Sequence, residues 1–268
     1  MRKNLVAVIT LISCLAGWCF ASCSQKGEPS EEQITVGTVS GISTAEDTSL
    51  NSVTKDLTMK EVPTFPNKVI LTGLDEHRLV SIYKSKPPET RGGADNSNRT
   101  YSYNEGEDEQ NEHFMPGVDI LFGYNLLNIA HYDLKTEKTN LLFNHPVLVK
   151  TLYYPSFVQD TLNKQPINRD YYLVSVYDED TNKDNLINKK DLRRFYHFDA
   201  HCATKTQLIP GNYAVTRSQY DSKNDLMYIF ARYDENRNGT EEKSEPIQIF
   251  WFSLRTPAKA KFLYRNIN

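Results

Sequence analysis

The stretch that decides the fold reads Tyr171-Tyr172-Leu173-Val174-Ser175-Val176-Tyr177, then a polar run, then Arg194-Phe195-Tyr196-His197-Phe198. Both ends are aromatic and β-branched, which is the chemistry of strands rather than of helices. Between them lies Asp180-Thr181-Asn182-Lys183-Asp184-Asn185-Leu186-Ile187-Asn188-Lys189-Lys190-Asp191. The same arrangement returns 54 residues later. Leu226-Met227-Tyr228-Ile229-Phe230 leads into Asp234-Glu235-Asn236-Arg237-Asn238-Gly239-Thr240-Glu241-Glu242-Lys243-Ser244-Glu245, and Ile247-Gln248-Ile249-Phe250-Trp251-Phe252 leads out. The offset carries Asp180 to Asp234, Asn182 to Asn236, Asp184 to Asn238 and Asp191 to Glu245 without a gap. The spacing therefore predicts a repeat of strands with an oxygen-rich loop inside each copy.

A hard cation such as calcium takes six to eight oxygens from a chain that turns tightly around it. In loop 180–191, positions 1, 3 and 5 are Asp180, Asn182 and Asp184, and Asn185 takes position 6, where a left-handed turn is required. Leu186 offers a backbone carbonyl at position 7, Ile187 an inward aliphatic chain at 8, and Asp191 the closing carboxylate at 12. Over its whole length this resembles the EF-hand loop consensus, with Asn for Gly at position 6 and Asp for Glu at position 12. Loop 234–245 sets Asp234, Asn236 and Asn238 at 1, 3 and 5, Gly239 at the turn, Thr240 at 7 and Glu245 at 12. With Glu241 at the aliphatic position and neutral residues at 3 and 5, it reads as the poorer and less charged site. A true EF-hand has helical flanks, and these flanks are strands. The expectation is thus two EF-type loops set into β-hairpins, holding calcium as a structural ion rather than as a sensor.

The repeat extends past the loops. The same offset aligns His197-Phe198-Asp199 with Trp251-Phe252-Ser253, and an earlier segment, Asn128-Ile129-Ala130-His131-Tyr132-Asp133-Leu134-Lys135, joins them. Each copy is a strand, a polar turn and a strand. The phrase aromatic-Asp-Leu followed by Lys-Thr-x-Lys resembles the outer hairpin of blades in bacterial TolB-like β-propellers, whose architecture WD-repeat propellers share. The resemblance covers residues 118–265 and implies four-stranded blades around an axis. About three such units are legible, with Lys68–Tyr83 as a source of further strands, so the expectation is an all-β, antiparallel repeat domain: a β-propeller-like fold that is small, irregular or incomplete.

The chain begins Met1-Arg2-Lys3-Asn4, continues through an apolar core to Phe20, and then reads Ala21-Ser22-Cys23. A basic start, an apolar core and small residues before a cut describe an export signal. The ending resembles the lipobox of bacterial lipoproteins, which implies a signal peptide over 1–22 and a lipid on Cys23. Of the four cysteines, Cys14 and Cys19 would leave with the signal and Cys23 would be acylated, so Cys202 alone remains and no internal disulfide is expected. Losing Arg2 and Lys3 takes the formal charge from −3 to −5. A mildly acidic chain with no basic, aromatic-interleaved patch argues against nucleic acid. Residues 24–62 hold no aromatic and are rich in Ser, Thr, Glu and Gly, so 23–62 reads as a flexible tether with a reach of about 35 Å and 63–268 as the folded domain. A second polar stretch, 84–112, reads as a long insertion between strands.

No Gly-x-Ser-x-Gly elbow, His-Glu-x-x-His, phosphate loop or dinucleotide fingerprint occurs, and no catalytic residue is assigned. Asp119 and Asp133 are the carboxylates that a glycosidase reading would use. The sequence thus points to a lipid-anchored, calcium-binding protein of the bacterial cell envelope, at the outer membrane on its periplasmic face or at the cell surface, that binds a protein or glycan partner. The alternative is an exported hydrolase acting on glycan or peptide.

Overall fold

The structure is a computed structural model that describes residues 52–84, 115–123 and 125–265. The expected signal peptide, Cys23, and nearly all of the insertion at 84–112 lie outside the described residues. In chain order the first strands are β1 (Ser52–Thr54), β2 (Phe65–Leu71), β3 (His77–Tyr83), β4 (Val118–Phe122), β5 (Leu126–Asp133) and β6 (Lys138–Leu141). The middle of the chain forms β7 (Leu148–Pro155), β8 (Asp160–Leu162), β9 (Gln165–Ile167), β10 (Tyr171–Tyr177), β11 (Leu186–Asn188), β12 (Arg194–Asp199) and β13 (Lys205–Gln207). The last four are β14 (Tyr213–Asp221), β15 (Leu226–Tyr233), β16 (Ile247–Ser253) and β17 (Lys261–Tyr264). They assemble into three antiparallel sheets, β2-β3-β5-β6, β4-β7-β10-β12-β13 and β14-β15-β16-β17, plus the short pairs β1-β11 and β8-β9. The fold is all-β and antiparallel, as the sequence predicts, and no helix occurs among the described residues.

The middle sheet is the hub, and β10 shows why. Successive side chains on a strand face opposite sides of its sheet. Tyr172, Val174 and Val176 enter one core with Leu79, Ile129 and Phe198. Tyr171 and Leu173 enter another with Phe195, Ile229 and Phe250. A strand buried on both faces reads as a near-continuous apolar run, and Tyr171–Tyr177 does so but for Ser175. The first sheet thus packs on one side of the second, and the third sheet on the other.

The repeat has a local cause at its turns. Asp133 caps the β5–β6 turn by accepting bonds from the N–H groups of Lys135 (2.9 Å) and Thr136 (3.0 Å). Asp199 does the same after β12 with His201 (2.9 Å), Ala203 (3.1 Å) and Thr204 (2.7 Å). After β16 the Ser253 hydroxyl accepts from Arg255 N–H (3.2 Å). An oxygen-bearing short side chain at a strand end satisfies backbone donors that would otherwise point into the turn.

A buried ion pair joins the second and third sheets. Arg169, before β10, grips Asp225, before β15, in a two-pronged contact (Nη1–Oδ2 3.0 Å, Nη2–Oδ1 2.7 Å). The same guanidinium donates to the carbonyls of Pro116 (Nε 3.3 Å, Nη2 3.1 Å) and Leu254 (2.7 Å). Both side chains are buried, and such charges persist in a protein interior only when paired and hydrogen-bonded.

The described part of the expected tether is folded instead. Residues 52–62 are folded: β1 pairs with β11, and Val53 and Val62 bury themselves with Leu127, Leu148 and Ile187. A segment without aromatics orders here because the base of loop 180–191 offers it both a strand edge and an apolar seat.

Candidate metal-binding loops

Loop 180–191 connects β10 to β12, and loop 234–245 connects β15 to β16. In the first, Asp180 folds the chain around itself: Oδ1 accepts from Asp184 N–H (3.0 Å) and Oδ2 from Asn185 N–H (3.0 Å). Asn182 Oδ1 also accepts from Asp184 N–H (3.1 Å), and Asp184 Oδ1 from Leu186 N–H (2.9 Å). Asp191 reaches back from position 12, accepting from Thr181 N–H (2.8 Å) on Oδ1 and from Asn188 N–H (2.8 Å) on Oδ2.

Every one of these six bonds has a counterpart 54 residues on. Asp234 accepts from Asn238 and Gly239 N–H (both 3.1 Å). Asn236 Oδ1 accepts from Asn238 N–H (2.9 Å) and Asn238 Oδ1 from Thr240 N–H (2.8 Å). Glu245 accepts from Glu235 and Glu242 N–H (both 3.2 Å). The left-handed residues coincide as well: Lys183 (φ +63°) and Asn185 (+68°) match Arg237 (+58°) and Gly239 (+72°). These bonds fix the oxygens of positions 1, 3, 5 and 12 to the backbone of each loop in the same way. A carboxylate oxygen that accepts one N–H keeps a further lone pair for a cation.

The closing carboxylates are buried, and burial pushes the carboxyls of both Asp191 and Glu245 above the ordinary range. The N–H groups of Asn188, Asn182 and Thr181 partly offset this at Asp191, while the charges of Asp234 and Glu242 add to it at Glu245. Negative charge held together out of water is what a divalent cation relieves.

In loop 234–245 the Glu242 carboxylate, at position 9, accepts from the side-chain amides of Asn236 (3.3 Å) and Asn238 (2.7 Å). Its neighbour Glu241, at the position expected to point inward, is instead drawn to the Arg232 guanidinium (3.4 Å). At the aliphatic position of the first loop, Ile187 is buried against Val53, as expected.

The two loops touch. Thr181 Oγ1 donates to the Gly239 carbonyl (2.5 Å), Glu241 N–H to the Lys190 carbonyl (3.2 Å), and Asp191 and Thr240 form a β-bridge. On the other side of loop 180–191, Leu186, Ile187 and Asn188 pair with β1, and the Lys55 ammonium lies 3.3 Å from Asp180 Oδ2.

The remaining reactive side chains do not gather into a nucleophile–base set among the described residues. Asp133 caps its own turn, and Asp119 lies on β4 at the edge of the second sheet. The Cys202 thiol packs against the first core, and burial pushes its pKa far up. Between the second and third sheets runs a shallow cleft bordered by Tyr153, Ser175, Arg193 and Ser218. Its Arg193 is committed to the carbonyls of Val215 (2.5 Å) and Thr216. No protein-family profile matches the chain, and no curated protein matches it in sequence.

Proposed function

We propose that this chain is an exported, lipid-anchored protein of the bacterial cell envelope whose β-propeller-like domain is stabilised by calcium in two loops and binds a protein or glycan partner without catalysing a reaction. The observation that supports the calcium reading is the scaffold of six hydrogen bonds, which recurs in both loops on the same positions. Three sheets packed face to face support the propeller-like reading. The lipid anchor rests on Ala21-Ser22-Cys23 alone.

The test is thermal unfolding of the full chain in calcium and in excess chelator. A ligand that binds only the folded state adds RT ln(1 + [L]/Kd), about 2.7 kcal/mol at a hundredfold excess over Kd. Calcium is expected to raise the midpoint, and the combined substitutions Asp180→Ala and Asp234→Ala to abolish the rise. An unchanged midpoint in millimolar calcium removes the calcium reading. Radiolabelled palmitate incorporation, lost in Cys23→Ala, tests the anchor separately.

A further inference from the structure

A second constellation of ligand-type side chains lies away from the loops, where the first and second sheets meet. On the paired strands β3 and β5, His77 stands opposite Asp133 and Leu79 opposite His131. His131 and Asp133 are two residues apart on one strand and so share a face. His77 (5% exposed) and His131 (1% exposed) are buried, with His131 Nε2 3.2 Å from His77 Nδ1. The second sheet supplies the third imidazole. The turn that Asp199 caps after β12 carries His201, whose ring meets that of His77 edge-on at a centroid distance of 4.8 Å. One ligand atom each from His77, Asp133 and His201 lie within 4.8 Å of one another.

We infer that His77, Asp133 and His201 form a site for a divalent transition metal of the zinc class, with His131 as the outer partner that orients His77. Imidazole nitrogens with one carboxylate suit zinc and its neighbours, whereas calcium takes oxygen. The contact with His131 occupies Nδ1 of His77 and leaves Nε2 for the ion, the arrangement in which a ligating histidine is fixed by a bond to its other nitrogen. Asp133 spends Oδ1 on the N–H groups of Lys135 and Thr136, so Oδ2 is the oxygen that faces a cation. Three protein ligands leave the fourth tetrahedral position to water. Metal–ligand bonds of about 2.0–2.1 Å place ligand atoms roughly 3.3 Å apart. His201 must therefore close by about an ångström or more, and as an exposed residue on a turn it is the member free to do so. Ordinary core histidines do not explain the set. A packing role accounts for His131 against Tyr172 (6.2 Å between rings), but not for an exposed imidazole from another sheet converging on the same buried ring. Binding here would clamp the first sheet to the second.

The test uses the untagged full chain, stripped of metal and then supplied with calcium to occupy the loops. Titration with zinc is read by calorimetry, and titration with cobalt by its visible absorption. One equivalent is expected to bind, with the intense bands of tetrahedral cobalt. His201→Ala, at an exposed position that leaves the cores intact, is expected to weaken binding by more than about tenfold, the loss that even an outer partner's removal causes. Asp133→Asn is expected to weaken it likewise. Asp180→Ala with Asp234→Ala should leave zinc binding unchanged while removing the calcium response, so failure here and failure of the calcium reading are separable. A native chain that takes up neither zinc nor cobalt overturns the inference. So does binding that His201→Ala leaves intact.

Discussion

Gly239→Ala probes the contact between the two loops. Gly239 has φ +72°, a left-handed conformation that costs an ordinary L residue about 1–2 kcal/mol. The added methyl would also lie 2.0 Å from the carbonyl oxygen of Thr181, 2.4 Å from its carbon and 3.0 Å from the nitrogen of Asn182. All three are backbone atoms, so no rotamer change relieves the clash. Relief requires loops 180–191 and 234–245 to part by roughly an ångström. Parting them stretches the Thr181 Oγ1 to Gly239 bond (2.5 Å) and the Glu241 to Lys190 bond (3.2 Å), each contributing about 0.5–1.5 kcal/mol. The expected loss is about 2–4 kcal/mol, or roughly 5–15 °C in melting temperature for a domain of this size. Asn185→Ala is the matched control. Asn185 holds the same turn position at φ +68°, so alanine should cost about 1 kcal/mol through the backbone alone. Circular dichroism melts of the three proteins in chelator decide the matter. If Gly239→Ala melts no lower than Asn185→Ala, the loops do not pack as described and the argument from their contact fails.

Arg169→Met would leave Asp225 buried with only the Tyr220 hydroxyl (3.2 Å) and the largely exposed Arg255 (3.7 Å) beside it, and removal of one partner of such a pair costs about 3–5 kcal/mol. A melt within a few degrees of native would refute that buried charge. Glu242→Gln should weaken calcium binding to loop 234–245 with little effect on loop 180–191, as read by calorimetry with Asp180→Ala as the background. Equal affinities would show that the Glu242 carboxylate is not a ligand. Stability should also fall in chelator as pH drops below about 6.5. Burial, with the neighbouring imidazole charges, holds the pKa values of His77 and His131 below the ordinary value, so the unfolded chain binds the extra protons and acid favours it. Each group contributes at most about 1.4 kcal/mol per pH unit between its folded and unfolded values. Asp191 and Glu245, raised by burial, act in the opposite direction. The histidine share is therefore read as the difference in slope between the native chain and His77→Gln, and identical slopes would refute it.

What was legible in the sequence was local. The strand flanks, the loops and the 54-residue offset all follow from patterns within a dozen residues, and β10 shows its double burial as a run that is apolar but for Ser175. What was hidden depends on partners far along the chain. Glu241 and Glu242 are adjacent carboxylates, and only the folded chain shows that Arg232 takes Glu241 while Asn236 and Asn238 take Glu242. Residues 52–62 look like tether by composition, since nothing in them announces that Leu127, Leu148 and Ile187 wait to receive Val53 and Val62. His131, His197 and Trp251 share a place in the repeat, and a place that either His or Trp can fill marks a packing position by itself. His197 keeps that role against Tyr171 (5.5 Å). His131 acquires another because His77 stands on the neighbouring strand, a juxtaposition that only strand register supplies.

The two candidate sites divide the work of holding the sheets together. Loop 180–191 enters β12 at its start, and the turn bearing His201 leaves β12 at its end, so the sites lie roughly 20 Å apart at opposite ends of one strand. At the loop end, β1 pairs with loop 180–191, and that loop is bridged in turn to loop 234–245 through Asp191 and Thr240. At the other end, His201 joins the second sheet to the first. The described residues contain no disulfide, and Cys202 is a lone thiol. A cation in the loops would tie the second sheet to the third, and one at the histidines would tie it to the first. The Arg169–Asp225 pair already joins the second and third sheets by charge pairing alone. No comparable ion pair links the first sheet to the second among the described residues. That junction is where a metal clamp has the most to contribute, and loss of bound zinc should therefore loosen the first sheet before the other two.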